Sequence, residues 1–129
     1  FDAAENNLDG NIWESFCNLS RLECLSLHRN HLDGSIPQCV GYLQNLKVLS
    51  LAFSSLTGPI SPSIFNLSML EKLNHEFNNL SGQLPEKFGD LLTSIQKIAL
   101  DSNKLTRRIP TSISNPTKLS GLNLEFNQL

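Results

Sequence analysis

The sequence predicts a strand-dominated α/β solenoid, with a parallel sheet on a concave side, a second set of short strands beside it, and 3-10 or helical turns on a convex side. Three observations lead there. A block of about 24 residues recurs, opened by Leu22, Leu46, Leu70, Ile95 and Leu119, and a unit of that length cannot bury its own apolar face without stacking on its neighbours. Each copy begins with an LxxLxLxx segment in which apolar and polar residues alternate at strand period. An asparagine follows that segment at Asn6, Asn30, Asn78, Asn103 and Asn127.

Residues 1–21 read as the end of a copy, with Phe1 at its fourth position and Asn6 at the asparagine position. Full copies follow at 22–45, 46–69, 70–94 and 95–118, the third lengthened by one residue in its LLTS stretch, and 119–129 opens another. The 129 residues form one domain, because no Pro/Gly/Ser-rich linker divides them. Neither end carries a capping unit, so the apolar edges at Phe1 and Leu129 are expected to associate edge to edge unless something covers them.

Within each strand, residues such as Leu25 and Leu27 point inward while Ser26 and His28 point out. The asparagine amide has donors and an acceptor, so a stacked column of them can satisfy backbone groups that the turn leaves unpaired in the interior. Ser54 takes that place in the second copy, and a local weakness is expected there. The second half of each copy holds GSIP (34–37), GPIS (58–61), GQLP (82–85) and RRIP (107–110).

Several positions depart from this pattern. Arg107 stands where the others have Gly, and Trp13 and Ser61 stand where they have Pro. His75 occupies an inward Leu position: LNHEFNNL (73–80) repeats as LNLEFNQL (122–129). A buried histidine loses solvation when charged, so its pKa should fall and it should sit neutral with at least one nitrogen bonded. The functional alternative is a pH-sensitive hinge.

The formal charge of −2 gives no basic face for nucleic acid, and Lys and Arg read as scattered rather than striped. No apolar run approaches the roughly 20 residues that span a bilayer, so a membrane enters only through segments absent from this chain. No nucleophile, base and orienter recur at catalytic spacing and no glycine-rich phosphate loop occurs, so neither an enzyme nor a cofactor is expected. Cys24 and His28, about 13 Å apart on one strand, are too distant to share a tetrahedral metal ion with His31.

The LxxLxLxxNxLxGxIP copies resemble the plant-type leucine-rich repeat over the whole chain. The stretch from SIFNLSMLEKL to TSISNPTKLSGLNL is similar to ectodomains of plant receptor kinases of the immune subfamily and of receptor-like proteins. That resemblance implies an extracellular, cell-surface setting, a peptide or protein ligand on the concave face, a co-receptor, and any kinase activity in a domain outside this chain. Two other functions remain open: a secreted inhibitor resembling the polygalacturonase inhibitors, and an ice-binding or structural solenoid. The last calls for a flat threonine array, and although Thr57 and Thr106 share one repeat position, Asp9, Asp33 and Ser81 fill it in the other copies.

Three cysteines leave an odd count: one pair plus a spare, or free thiols. Cys17 and Cys39 fall late in adjacent copies on the convex side, and Cys24 begins a concave strand. Cys17–Cys39 is the favoured pair, which the resemblance also implies, with Cys17–Cys24 as the alternative. Sequons for N-glycans occur at Asn18, Asn66 and Asn79, while Pro116 excludes Asn115. Asn18 and Asn66 share one convex position; Asn79 stands just past the concave strand, where a glycan would shield part of the binding face.

The outward positions stack into columns. One reads Ala4, His28, Ala52, Glu76, Asp101, Glu125, and its neighbour Glu5, Arg29, Phe53, Phe77, Ser102, Phe126. Exposed rings beside charge suit a protein interface, because a large ring removes much area from water while the charges steer and select. The structural alternative is that the phenylalanines pack on one another and on the asparagine turn. His28, Arg29, Phe53, Glu76, Phe77, Asp101, Glu125 and Phe126 are therefore the candidate ligand surface. Stacked carboxylates at Glu76 and Asp101 call for a cation, hence a basic peptide.

Overall fold

A computed structural model describes all residues, Phe1–Leu129. The chain runs through β1 (Asp9–Asn11), β2 (Cys24–Ser26), β3 (His31–Asp33), β4 (Val48–Ser50), β5 (Thr57–Pro59), β6 (Lys72–Asn74), β7 (Asn79–Gly82), β8 (Lys97–Ala99), β9 (Lys104–Leu105) and β10 (Gly121–Asn123). Strands β2, β4, β6, β8 and β10 form one five-stranded parallel sheet on the concave side. Cys24 pairs with Val48, Val48 with Lys72, Lys72 with Lys97 and Lys97 with Gly121. The sequence period is thus the strand spacing itself, and the single longer step lies between Lys72 and Lys97, where the extra residue of LLTS falls.

The odd-numbered strands make two smaller parallel sheets on the flank, β1 with β3 and β5–β7–β9. The convex side is built of 3-10 turns at Glu14–Asn18, Gln38–Tyr42, Pro62–Asn66 and Thr111–Ser114. The lengthened copy instead makes a single α-helical turn, α1 (Phe88–Leu91). Two glycines let these turns pack backbone to backbone. A Cβ on Gly41 would strike the Ser63 main chain, and one on Gly89 would strike the Ser112 carbonyl. Ser61, in the usual proline place, caps its turn by accepting from Ser63 N–H.

Between the layers, 26 buried apolar residues from Ile12 to Leu105 form one continuous cluster. Leu25, Leu49 and Leu73 face it from the concave sheet and Val40, Ile64 and Phe88 from the convex turns, all fully buried. Each such side chain contributes roughly 1.5–3 kcal/mol of burial. Cys17 and Cys39 are joined in a disulfide with Cα atoms 5.7 Å apart, tying the first two convex turns together, and Cys24 is free.

The asparagine column closes each strand-to-flank turn. Asn30, Asn78, Asn103 and Asn127 each accept, through Oδ1, the N–H of a leucine in the preceding copy: Leu8, Leu56, Leu80 and Leu105. Each also donates through Nδ2 to carbonyls of its own turn, as Asn103 does to Leu100 and Asp101. These bonds fix a left-handed residue just before each ladder position, with φ between 52° and 55° at Glu5, Arg29, Phe53, Phe77, Ser102 and Phe126. Ser54 makes no bond to Leu32 N–H; its hydroxyl donates instead to the Asn30 carbonyl at 3.4 Å. Phe53 is thus the left-handed residue with the least support.

His75 is fully buried and neutral, its pKa pushed down to about 4 by burial. Nδ1 donates to the Asn74 carbonyl at 2.7 Å, while Nε2 has no partner.

Candidate functional site on the concave face

Alternation on the five concave strands sets a grid of outward side chains. Its rows are Cys24, Ser26, His28; Val48, Ser50, Ala52; Lys72, Asn74, Glu76; Lys97, Ala99, Asp101; and Gly121, Asn123, Glu125. The left-handed residue that follows each row carries its side chain to the rim. There Glu5 accepts from Arg29 at 3.1 Å, the Arg29 guanidinium lies over the Phe53 ring at 5.2 Å, and Phe53 stacks on Phe77 with centroids 4.6 Å apart and planes 13° from parallel. The phenylalanines therefore do pack on one another, and they also stay open, at 38% exposure for Phe53 and 50% for Phe77. Ser102 interrupts the stack, leaving Phe126 alone at 79% exposure.

Beside this rim the sheet sinks into a shallow depression of about 300 Å³ lined by Glu5, His28, Arg29, Ser50, Ala52, Phe53, Asn74 and Glu76. Small residues make the hollow: Ala52 stands between the larger His28 and Glu76, and Ser50 between Ser26 and Asn74. His28 Nδ1 lies 3.1 Å from Ser26 Oγ and 3.5 Å from Ser50 Oγ, which orient the ring. Glu76 is half-buried with Oε2 lacking any partner, and desolvation, then the charge of Asp101, holds its carboxyl above the usual carboxylate range.

Two sequence expectations need correction. Asp101 lies in the outward column but is only 8% exposed, and Ala52 is buried outright; side chains on neighbouring parallel strands about 4.8 Å apart cover one another, so outward does not mean open. The cationic residues are not all scattered either. Register sets Lys72 directly opposite Lys97 on the concave face, a pairing visible in the sequence four positions before Glu76 and Asp101 once the rows are aligned. Asn79, just past the concave strand, begins β7 in the flanking sheet and is half-buried. Asn18 and Asn66 are exposed at the ends of convex turns. No group of His, Cys, Asp and Glu side chains is arranged to hold a metal ion, and no helix is long and apolar enough to cross a membrane.

The family model described as Leucine Rich Repeat matches residues 21–43 and 45–67. The ectodomain of the Arabidopsis receptor kinase HAESA, solved with an N-terminally extended IDA peptide hormone, superposes at TM-score 0.96 and 27% identity over 99% of the chain. The chain is a leucine-rich repeat solenoid. It spans 21% of the HAESA ectodomain. A second solved likeness is the ectodomain of the plant membrane receptor kinase GASSHO1/SCHENGEN3 from Arabidopsis thaliana, in complex with Casparian strip integrity factor 2. It matches at 31% identity and TM-score 0.91, over 96% of this solenoid and 15% of that ectodomain. A plant ice-binding protein matches at 31% identity and TM-score 0.86, over 97% of this solenoid and 40% of that protein. No curated protein sequence matches significantly.

Proposed function

We propose that this solenoid is a ligand-recognition segment of a plant cell-surface receptor ectodomain, either a receptor kinase or a receptor-like protein, that takes a peptide or protein on its concave face. The observation that carries this reading is the union, on one open face, of a stacked aromatic rim and a hollow holding a half-buried carboxylate without a partner. A ring at the rim offers area to remove from water and the carboxylate waits for a donor, which together give a polypeptide ligand both affinity and register. The likeness to two receptor kinase ectodomains, one solved with a peptide hormone and one with a named factor, supports it. An extracellular setting, N-glycans at Asn18 and Asn66, and a co-receptor engaging another face belong to the same proposal.

The likeness to an ice-binding protein makes that function the second reading. Ice recognition calls for a flat, repetitive array, and the flank of this solenoid reads Asp9, Asp33, Thr57, Ser81, Thr106. Both threonine hydroxyls donate to backbone carbonyls of the preceding copy, Thr57 to Gly34 and Thr106 to Gly82, which disfavours it. The proposal is tested by panning a phage-displayed library of random dodecapeptides on the immobilised chain. Enriched peptides should lose capture on Phe53→Ala/Phe77→Ala; capture that survives that double substitution would place binding elsewhere and overturn the reading.

A further inference from the structure

Residues two apart on a strand share a face, so β6 and the turn after it present Lys72, Asn74 and Glu76, and β8 presents Lys97, Ala99 and Asp101. Pairing sets Lys72 opposite Lys97 and Asn74 opposite Ala99. It continues past the strand ends, where His75 N–H donates to the Ala99 carbonyl and Phe77 N–H to the Asp101 carbonyl, so Glu76 runs alongside Asp101. Like charges on neighbouring strands therefore meet twice: two cations at one edge of the face and two carboxylates at the other. Such pairs are unfavourable unless a counter-charge joins them.

Neither pair has one within the chain. The ion pairs of this protein are Arg29–Glu5, Lys47–Glu23 and Arg108–Glu86, and none involves Lys72, Lys97, Glu76 or Asp101. Both lysines are exposed, and Glu76 Oε2 is sealed from water without a donor. Register also confines the cationic feature to two strands, because Val48 stands in the lysine column on one side and Gly121 on the other. The same two strands thus carry opposite charge at opposite edges, separated by four residues, about 13 Å at strand rise.

We propose that the concave face selects a segment of mixed charge, with an acidic group bridging Lys72 and Lys97 and a basic group against Glu76. The charge of Asp101 lies behind Glu76 and adds to its pull. This deepens the proposed function, rests on it, and narrows the merely basic partner expected from the carboxylates alone. An all-basic ligand would press like charge on the lysines. An extended segment lying parallel to the strands meets both edges with acidic and basic side chains four residues apart, because strand rise in ligand and receptor is the same.

The test uses the same dodecapeptide library. On the wild-type chain, enriched peptides should carry Asp or Glu four residues from Lys or Arg. The Lys72→Gln/Lys97→Gln variant should capture those peptides about tenfold less well, and panning on it should lose the acidic preference while keeping the basic one. Glu76→Gln should do the converse. Enriched peptides of a single charge sign, or preferences that neither variant alters, would overturn the inference. Capture that depends on Phe53 and Phe77 but not on these charges removes this inference alone, whereas capture indifferent to the rim removes the proposed function as well.

Discussion

At the scale of single residues, the positions that break the repeat are the ones where stability is set against something else. His75 replaces a core leucine, and its Nε2 meets no donor. In the unfolded chain it titrates near 6.5 and in the folded protein at about 4, so between those values the unfolded state binds more protons. Its contribution is fully present above pH 6.5 and is lost as pH falls towards 4, a loss of about 2 kcal/mol between pH 7.5 and pH 5. Urea unfolding at those two pH values should show that difference in the wild type and a clearly smaller one in His75→Leu; equal differences would mean that the ring is solvated. Arg107 holds φ at 75°, where the other copies place Gly10, Gly34, Gly58 and Gly82. A side chain is strained there, so Arg107→Gly should raise stability by roughly 1 kcal/mol, and an unchanged denaturation midpoint would contradict it.

At the scale of elements, the ladder and the convex turns hold the concave strands in register. Ser54→Asn should restore the missing bond to Leu32 N–H and support the left-handed Phe53, gaining about 1 kcal/mol. Thermal melting checks this, and a lowered midpoint would show that the longer amide does not fit. On the other side, Gly89 sits against the Ser112 carbonyl and donates to Ser112 Oγ at 3.1 Å. Gly89→Ala must push α1 off the next turn, at a cost of about 1–3 kcal/mol. The disulfide closes a loop of 22 residues, which corresponds to about 3 kcal/mol of constraint on the unfolded chain; Cys17→Ala/Cys39→Ala should lower the unfolding free energy by about that much. The strands and the asparagine ladder were legible because both follow strict periodicities of two and of about 24 residues. The choice of an α-helical rather than a 3-10 turn in the lengthened copy was not, since the added residue in LLTS marks where that copy is longer but not which turn it forms.

At the scale of the whole molecule, stacking turns a weak one-dimensional pattern into a surface. The outward columns could be read from the sequence, including the rim of Phe53 and Phe77, because alternation alone assigns a face. How open each member is could not, since the covering of Asp101 and Ala52 depends on what the adjacent strands carry. The lysine pair emerges only when the copies are aligned: Lys72 and Lys97 stand 25 residues apart in the chain but share one row position, which the register makes neighbours. The likeness to receptor ectodomains and to an ice-binding protein leaves the choice between functions to these side chains. The most direct measurement is hydrogen–deuterium exchange of the chain with and without a dodecapeptide enriched by panning. Concave-face recognition predicts added protection at residues 50–54 and 74–78; protection confined to the convex turns, with those segments unchanged, would contradict it.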